Sequence, residues 1–339
     1  MGAYINGIGI ISPQNTFGDP ELPELLQTHS DYRLTCMEPD YAAWIDPKLL
    51  RRMSRIIRMG MATALLALKE AKIEKPDAII TGTAFGCLED TGTFLTKMIT
   101  NQEQALNPTP FIQSTHNTIG SQVALLLQCL GYNQTYSQRA FSFENALLDA
   151  LMMTDEQQHI LVGGIDEITT QSFEILKRFP AYKEIIQGEG AAYFLLATQR
   201  MESTYAEVKN VATFYQPENS DQLKSKITAF LSHQSLTTSD IDLILTGKNG
   251  AYQIDKNYDS VTNSLFPNVP LLSYKQLCGE YPTSNAFALW MAAKMLKGKK
   301  VPAVLLQKDS TSLPDKINRI LIYNQYLGDH HSLLLVEAV

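Results

Sequence analysis

A chain of 339 residues, 45% hydrophobic and 19% charged, has the composition of a folded globular protein, with room for one large domain or two fused halves. Its net charge of −7 has the wrong sign for a nucleic-acid partner, which requires a concentrated basic surface. No apolar run is long enough to cross a membrane, the opening MGAYINGIGI lacks a signal-like pattern, and the four cysteines (Cys36, Cys87, Cys129, Cys278) are dispersed with no C-x-x-C pair, so a cytoplasmic protein with free thiols and neither metal nor cofactor is expected.

In chain order, residues 3–11 form a strand interrupted by Gly7 and Gly9. Residues 48–72 carry Met53, Ile56, Ile57, Met61, Leu65, Leu68 and Ala71 at helical spacing and predict one long helix. A short apolar strand at 78–82 precedes a loop rich in glycine (Gly82, Gly86, Gly92). Residues 121–130 predict a buried helix and 133–137 a strand. A second helix at 143–153 carries Ala146, Leu147, Ala150 and Leu151 on one face, with Ser142 as its N-cap. Strands follow at 160–162, with Gly163-Gly164 after it, and at 191–196.

Past Arg200 the grammar restarts: strand 205–215, helix 220–231, strand 241–245, helix 284–296, then strands 303–306, 319–323 and 332–337. Two successive α/β stretches of similar pattern, without a low-complexity linker, point to an internally duplicated fold with halves at 1–203 and 204–339.

Several motifs lead nowhere. Gly7-Ile8-Gly9-Ile10-Ile11-Ser12 lacks the third glycine of a dinucleotide loop, and Pro13 opens a polar loop where the phosphate-binding helix should start. Walker A, G-x-S-x-G and H-E-x-x-H sequences are absent. His330 and His331 are adjacent, so a strand there would point them to opposite faces.

Four segments in order carry a resemblance. Residues 4–13 (YINGIGIISP), 50–55 (LRRMSR), 111–122 (FIQSTHNTIGSQ) and 188–192 (GEGAA) are similar to successive landmarks of the β-ketoacyl synthase branch of the thiolase superfamily. The resemblance covers nearly the whole chain and implies a thiolase-like fold: two fused α/β halves in an α-β-α-β-α stack. In active members a nucleophilic cysteine sits at a helix N-terminus, where the dipole lowers its pKa and backbone amides hold the oxyanion. Here the matching stretch, residues 133–143 (NQTYSQRAFSF), places Ala140 at that position. A shift of one or two places offers Arg139 or Gln138, neither of which forms a thioester. Phe141 and Phe143 are bulky where small residues are usual, which partly fills the acyl end of the pocket.

The two histidines that such enzymes aim at a developing enolate or oxyanion are also missing. Gly247 (or Lys248) takes the first place and Glu280 the second, while the accompanying Lys275 is kept and is positioned to pair with Glu280. In the C-terminal loop Gly328 persists, and Tyr326 stands where a gating Phe is usual.

The resemblance therefore implies a degenerate subunit of the chain-length-factor type, paired with an active ketosynthase paralogue in polyketide, aryl-polyene or fatty-acid-like synthesis, with Phe141, Phe143, Tyr326 and Gly328 at the acyl tunnel or its gate. The family interface implicates Phe111, Ser114, Thr115, His116 and Asn117. An acidic acyl carrier protein would dock on Arg51, Arg55 and Arg58, spaced i, i+4, i+7 on one helix, while Lys294, Lys297, Lys299 and Lys300 form a second cluster. Two other readings stand beside this one: relocated acyltransferase or decarboxylase chemistry using Cys278 and Glu280, and a homodimeric module that binds an acyl chain or carrier without turnover.

Overall fold

Strand β1 (Ala3–Ile11) is almost wholly buried and runs unbroken through Gly7 and Gly9, with an irregularity between Ile5 and Gly7. The reason for the glycines lies in the next elements of the computed structural model, which describes residues 2–18, 21–22, 32–154, 158–302, 305 and 313–339. After β2 (Arg33–Leu34) and the single turn α1 (Pro47–Leu50), helix α2 (Arg55–Ala71) packs directly on β1. A Cβ on Gly7 would stand 2.1 Å from the Ala67 carbonyl oxygen, and one on Gly9 1.9 Å from that of Thr63. The glycines admit a helix, and do not interrupt a strand.

The single helix expected over 48–72 is two. Asp46 caps α1 by accepting from the Lys48 amide at 2.8 Å, Pro47 opens it, and the chain turns over residues 51–54 before α2 begins. Arg51 thus terminates α1 and shares no helix with Arg55 and Arg58, so their i, i+4, i+7 alignment does not form.

The first half continues through β3 (Ala78–Gly82), α3 (Leu88–Thr100), α4 (Pro108–Gln113), α5 (Thr118–Leu127), β4 (Tyr132–Tyr136), α6 (Ser142–Met153), β5 (Ile160–Asp166), α7 (Thr170–Leu176), β6 (Gln187–Gly188) and β7 (Gly190–Ala197). The second comprises β8 (Ala206–Tyr215), α8 (Ser220–Ser232), β9 (Leu243–Thr246), α9 (Tyr252–Leu265), β10 (Leu271–Ser273), α10 (Lys275–Cys278), α11 (Asn285–Leu296), β11 (Arg319–Tyr326) and β12 (His330–Glu337). Gly92 lies inside α3 rather than in a loop. The helix expected to be buried over 121–130 is α5, which ends at Leu127 and leaves Leu125 73% exposed. The strand expected at 303–306 lies, apart from Leu305, outside the described residues.

The sheet order is β10-β9-β11-β12-β8-β1-β7-β5-β3-β4. Counting the five main strands of each half in chain order, both halves run 3-2-4-5-1, with the fifth strand antiparallel to its neighbours. They join where residues 3–5 of β1 meet 206–208 of β8. One apolar cluster holds α6 and α11 between the two five-stranded surfaces. A second covers the outer side of the first half with α2 and α5, and a third covers the second half with α8 and α9. The result is an α-β-α-β-α stack.

Candidate functional site

The elbow between β4 and α6 is the natural place for a nucleophile, because the chain leaves a strand and enters a helix within a few residues. Arg139 takes the bend with φ of 53°, in the left-handed region, and its side chain is exposed. Ser142 does not cap α6 as expected; its hydroxyl accepts from the Gln138 amide at 2.9 Å and donates to the Arg139 carbonyl at 2.6 Å, closing the turn. Ala140 then points inward, buried in a small cluster with Tyr182 and Tyr326. The two tyrosine hydroxyls meet at 2.5 Å.

The two neighbouring aromatics diverge. Phe143 is fully buried in the layer between the sheets, where its ring meets Gly164 closely enough that a Cβ there would stand 2.8 Å away. Phe141, half-buried, turns from the elbow toward β12, 4.9 Å from the His330 ring, which also contacts Tyr215 at 4.8 Å. His331 faces the other way, stacked on Phe214 and within 3.1 Å of the Gly328 carbonyl, so adjacent residues on β12 do alternate.

The second half supplies the rest of the constellation. Gly247 follows β9, and a Cβ added to it would fall 2.2 Å from Asn324 Oδ1 and 2.6 Å from the Tyr258 hydroxyl. No side chain fits there without rearrangement. The adjacent Lys248 turns outward to pair with Asp259. Lys275 Nζ donates to both Glu280 oxygens, at 2.7 and 2.9 Å, and to the Gln325 carbonyl at 3.0 Å. Asn249 Nδ2 donates to Glu280 Oε2 at 2.6 Å. Both charged side chains are fully buried. Burial pushes the Glu280 carboxyl up and Lys275 pulls it back down. The Lys275 bond to the Gln325 carbonyl ties the ion pair to the neighbour of Tyr326, and the Glu280 charge helps to raise the Tyr182 and Tyr326 hydroxyls.

Ala140 carries no nucleophilic group; the polar groups of its cluster are two mutually bonded hydroxyls, and the nearby carboxylate and ammonium satisfy each other. Burial raises the Tyr326 hydroxyl well above its ordinary value. Cys278 is fully buried with its thiol pushed far up by desolvation, and its Sγ–H points at the Gly279 carbonyl at 3.4 Å. That is the disposition of a packing thiol and the opposite of an activated one.

Of the basic residues singled out by sequence, Arg55 is committed: its guanidinium donates to Glu189 at 2.5 and 2.7 Å and to Glu38 at 2.5 Å. Arg51 is exposed, and Arg58 donates Nε to the Met53 carbonyl. Lys297 donates to the carbonyls of Ser203 and Thr204, and Lys299 pairs with Glu21. Among the described residues no group of three or more His, Cys, Asp and Glu could hold a metal ion. No described helix is long and apolar enough to cross a membrane. Phe111, Thr115, His116 and Asn117 are exposed and Ser114 half-buried, all in the stretch leading to β4.

Sequence reasoning missed Tyr182, Asn249, Tyr258, Asn324 and Gln325. Tyr182 lies 42 residues beyond Ala140, with no spacing rule to link the two. Asn249 adjoins Lys248 in the sequence, but only the fold shows that it reaches Glu280.

The family model for the β-ketoacyl synthase N-terminal domain matches residues 28–244. By sequence, none of the curated proteins compared matches the chain. Among solved structures, the ishigamide ketosynthase/chain length factor is 16% identical, with a TM-score of 0.79 over 100% of this chain and 99% of that one. A β-ketoacyl synthase from Burkholderia phymatum is 16% identical, with a TM-score of 0.79 over 99% of each chain. A ketosynthase in complex with its chain length factor from Xenorhabdus doucetiae is 16% identical, with a TM-score of 0.76 over 100% of this chain and 98% of that one.

Proposed function

The chain belongs to the β-ketoacyl synthase family, and on that premise we propose that it is a non-catalytic subunit of the chain-length-factor kind, which pairs with an active β-ketoacyl synthase and shapes the tunnel for the growing acyl chain. The observation that carries this reading is the elbow itself: the buried Ala140 under the Tyr182–Tyr326 pair, with the Lys275–Glu280 ion pair beside it where imidazoles would be needed. Condensation requires a thiolate and donors aimed at an oxyanion, and this arrangement supplies neither. The kept scaffold then has shape and contact left to contribute. In this reading Phe143, buried in the central layer, closes the acyl end of the tunnel.

The surface beside the elbow suits a subunit contact. β4 ends the sheet, so its outer row of backbone groups is unpaired. Around it Ile112, Leu125, Leu130 and Met152 are all more than 60% exposed. Residues 104–154 contain only four Asp, Glu, Lys, Arg or His residues: His116, Arg139, Glu144 and Asp149. Apolar exposure with depleted charge is the signature of an interface core. Phe111 to Asn117 border the same surface. An acyl carrier protein, being acidic, would approach through Arg51 and Arg58, with Arg55 held in place by Glu189.

Co-expression with cysteine-bearing ketosynthases of the same cell, followed by purification and mass measurement in solution, tests the pairing. A one-to-one complex with one of them is expected. A homodimer that binds none of them contradicts the proposal.

A further inference from the structure

The edge at β4 carries one feature that a purely apolar interface would not. The Tyr132 hydroxyl donates to Asp149 Oδ2 at 3.0 Å, and the same carboxylate lies close enough to Tyr136 to act on it. The even-numbered side chains of β4 therefore face α6. Asn133, which donates to the Gly120 carbonyl at 3.2 Å, faces α5. Asp149 is half-buried and, among the described residues, has no ion-pair partner. The nearest cation in sequence, Arg139, is exposed at the elbow beyond the far end of the strand. On the α5 face of the same strand, Thr135 Oγ1 is buried with no hydrogen-bond partner among the described residues. Leu148 and Met152 flank Asp149 on α6 and are exposed.

We propose that Asp149 makes this edge selective, disfavouring a second copy of the chain and favouring a partner subunit that places a lysine or arginine opposite it. The proposal rests on the pairing read above and adds the chemistry of the partner. A two-fold self-pair that keeps the helical layers continuous sets β4 antiparallel to its own copy. That symmetry preserves the faces of the sheet, so both Asp149 carboxylates lie on the same face. In the register that puts Gln134 on the axis, Tyr132 of one copy would stand opposite Tyr136 of the other. Each tyrosine is already engaged by an acid, and both acids are drawn into one patch that apolar side chains seal from water. Like charges juxtaposed in an interface oppose association, whereas a cation in the same place forms a charge-assisted bond to the carboxylate.

The test uses the full chain alone and mixed with the cysteine-bearing ketosynthase that co-purifies with it. Sedimentation equilibrium is run on the wild type and on Asp149→Asn, Asp149→Ser and Asp149→Lys, with thermal melts showing which variants fold. The neutral variants are expected to self-associate about tenfold more tightly than the wild type, and Asp149→Lys to bind the ketosynthase about tenfold more weakly. If no ketosynthase binds but the neutral variants still self-associate more tightly, exclusion of the second copy stands while the subunit reading falls. Equal self-association of the wild type and both neutral variants overturns the proposal, as does undiminished ketosynthase binding by Asp149→Lys.

Discussion

The Tyr182 hydroxyl lies 2.5 Å from that of Tyr326, and the two rings share a cluster with Ala140. This one contact joins the end of the first half to β11 of the second directly over Ala140. On the proposed reading, the nucleophile is missing and the space in front of the elbow is occupied as well.

Restoring a thiol alone should therefore restore nothing. An Ala140→Cys variant is expected to show no condensation of acyl and malonyl thioesters, since the positions at 247 and 280 still lack donors. Its new thiol, buried under two tyrosines, is expected to alkylate slowly at neutral pH. Intact-mass measurement after timed iodoacetamide treatment checks this, and rapid labelling with turnover would refute it.

Breaking the Lys275–Glu280 pair from one side leaves a buried charge alone. Lys275→Met is expected to lower stability by about 3–5 kcal/mol. The double variant Lys275→Met/Glu280→Leu is expected to recover a good part of that loss. Urea unfolding of the wild type, Lys275→Met, Glu280→Leu and the double variant decides the matter, and additive losses would show that the pair is not coupled.

Gly247 has no room for a side chain. Gly247→Ala is expected to cost about 1–3 kcal/mol, because its Cβ meets Asn324 and Tyr258 inside a packed core. Gly247→His should be worse still, so a histidine cannot simply be returned to this loop. Thermal melts measure both, and an unchanged midpoint for Gly247→Ala would contradict the geometry.

A pH dependence follows from Glu144, buried between α6, α11 and β12. Its Oε1 accepts from Asn285 at 2.5 Å and from Ser332 at 2.9 Å, and its Oε2 has no partner among the described residues. Burial pushes the carboxyl up from 4.5 to about 7. Folding thus favours the neutral form: its contribution is full below about pH 4.5 and is lost as the pH rises through about 7. Stability should fall between these values, and Glu144→Gln should flatten that part of the profile. Denaturant midpoints at several pH values read both effects.

Much of the fold was legible in the sequence because both halves repeat one order of strands, helices and turns, and each apolar period has a layer to face. The strand-to-helix turn that holds Ala140 was legible too, because an alternating polar stretch at 132–136 gives way within a few residues to the apolar helical spacing of α6. What sequence could not show was contact at a distance. Nothing around Gly7 and Gly9 says that α2 presses its backbone against them, so they looked like breaks. The run from Met53 to Ala71 hid the turn at 51–54, because a capping Asp46 and Pro47 start a separate helix just ahead of an apolar period that ignores it. Tyr182 comes from the segment between α7 and β6, Asn249 from the loop after β9 and Gln325 from β11, and only the folded chain brings them to Tyr326, Glu280 and Lys275.

The most direct test of the central claim is a condensation assay on the chain alone, on its partner ketosynthase alone, and on the purified complex, using carrier-bound acyl and malonyl groups. The account predicts no product from the chain alone, and product from the complex whose length shifts when Phe143 is replaced by Ala. Product from the chain alone would contradict it.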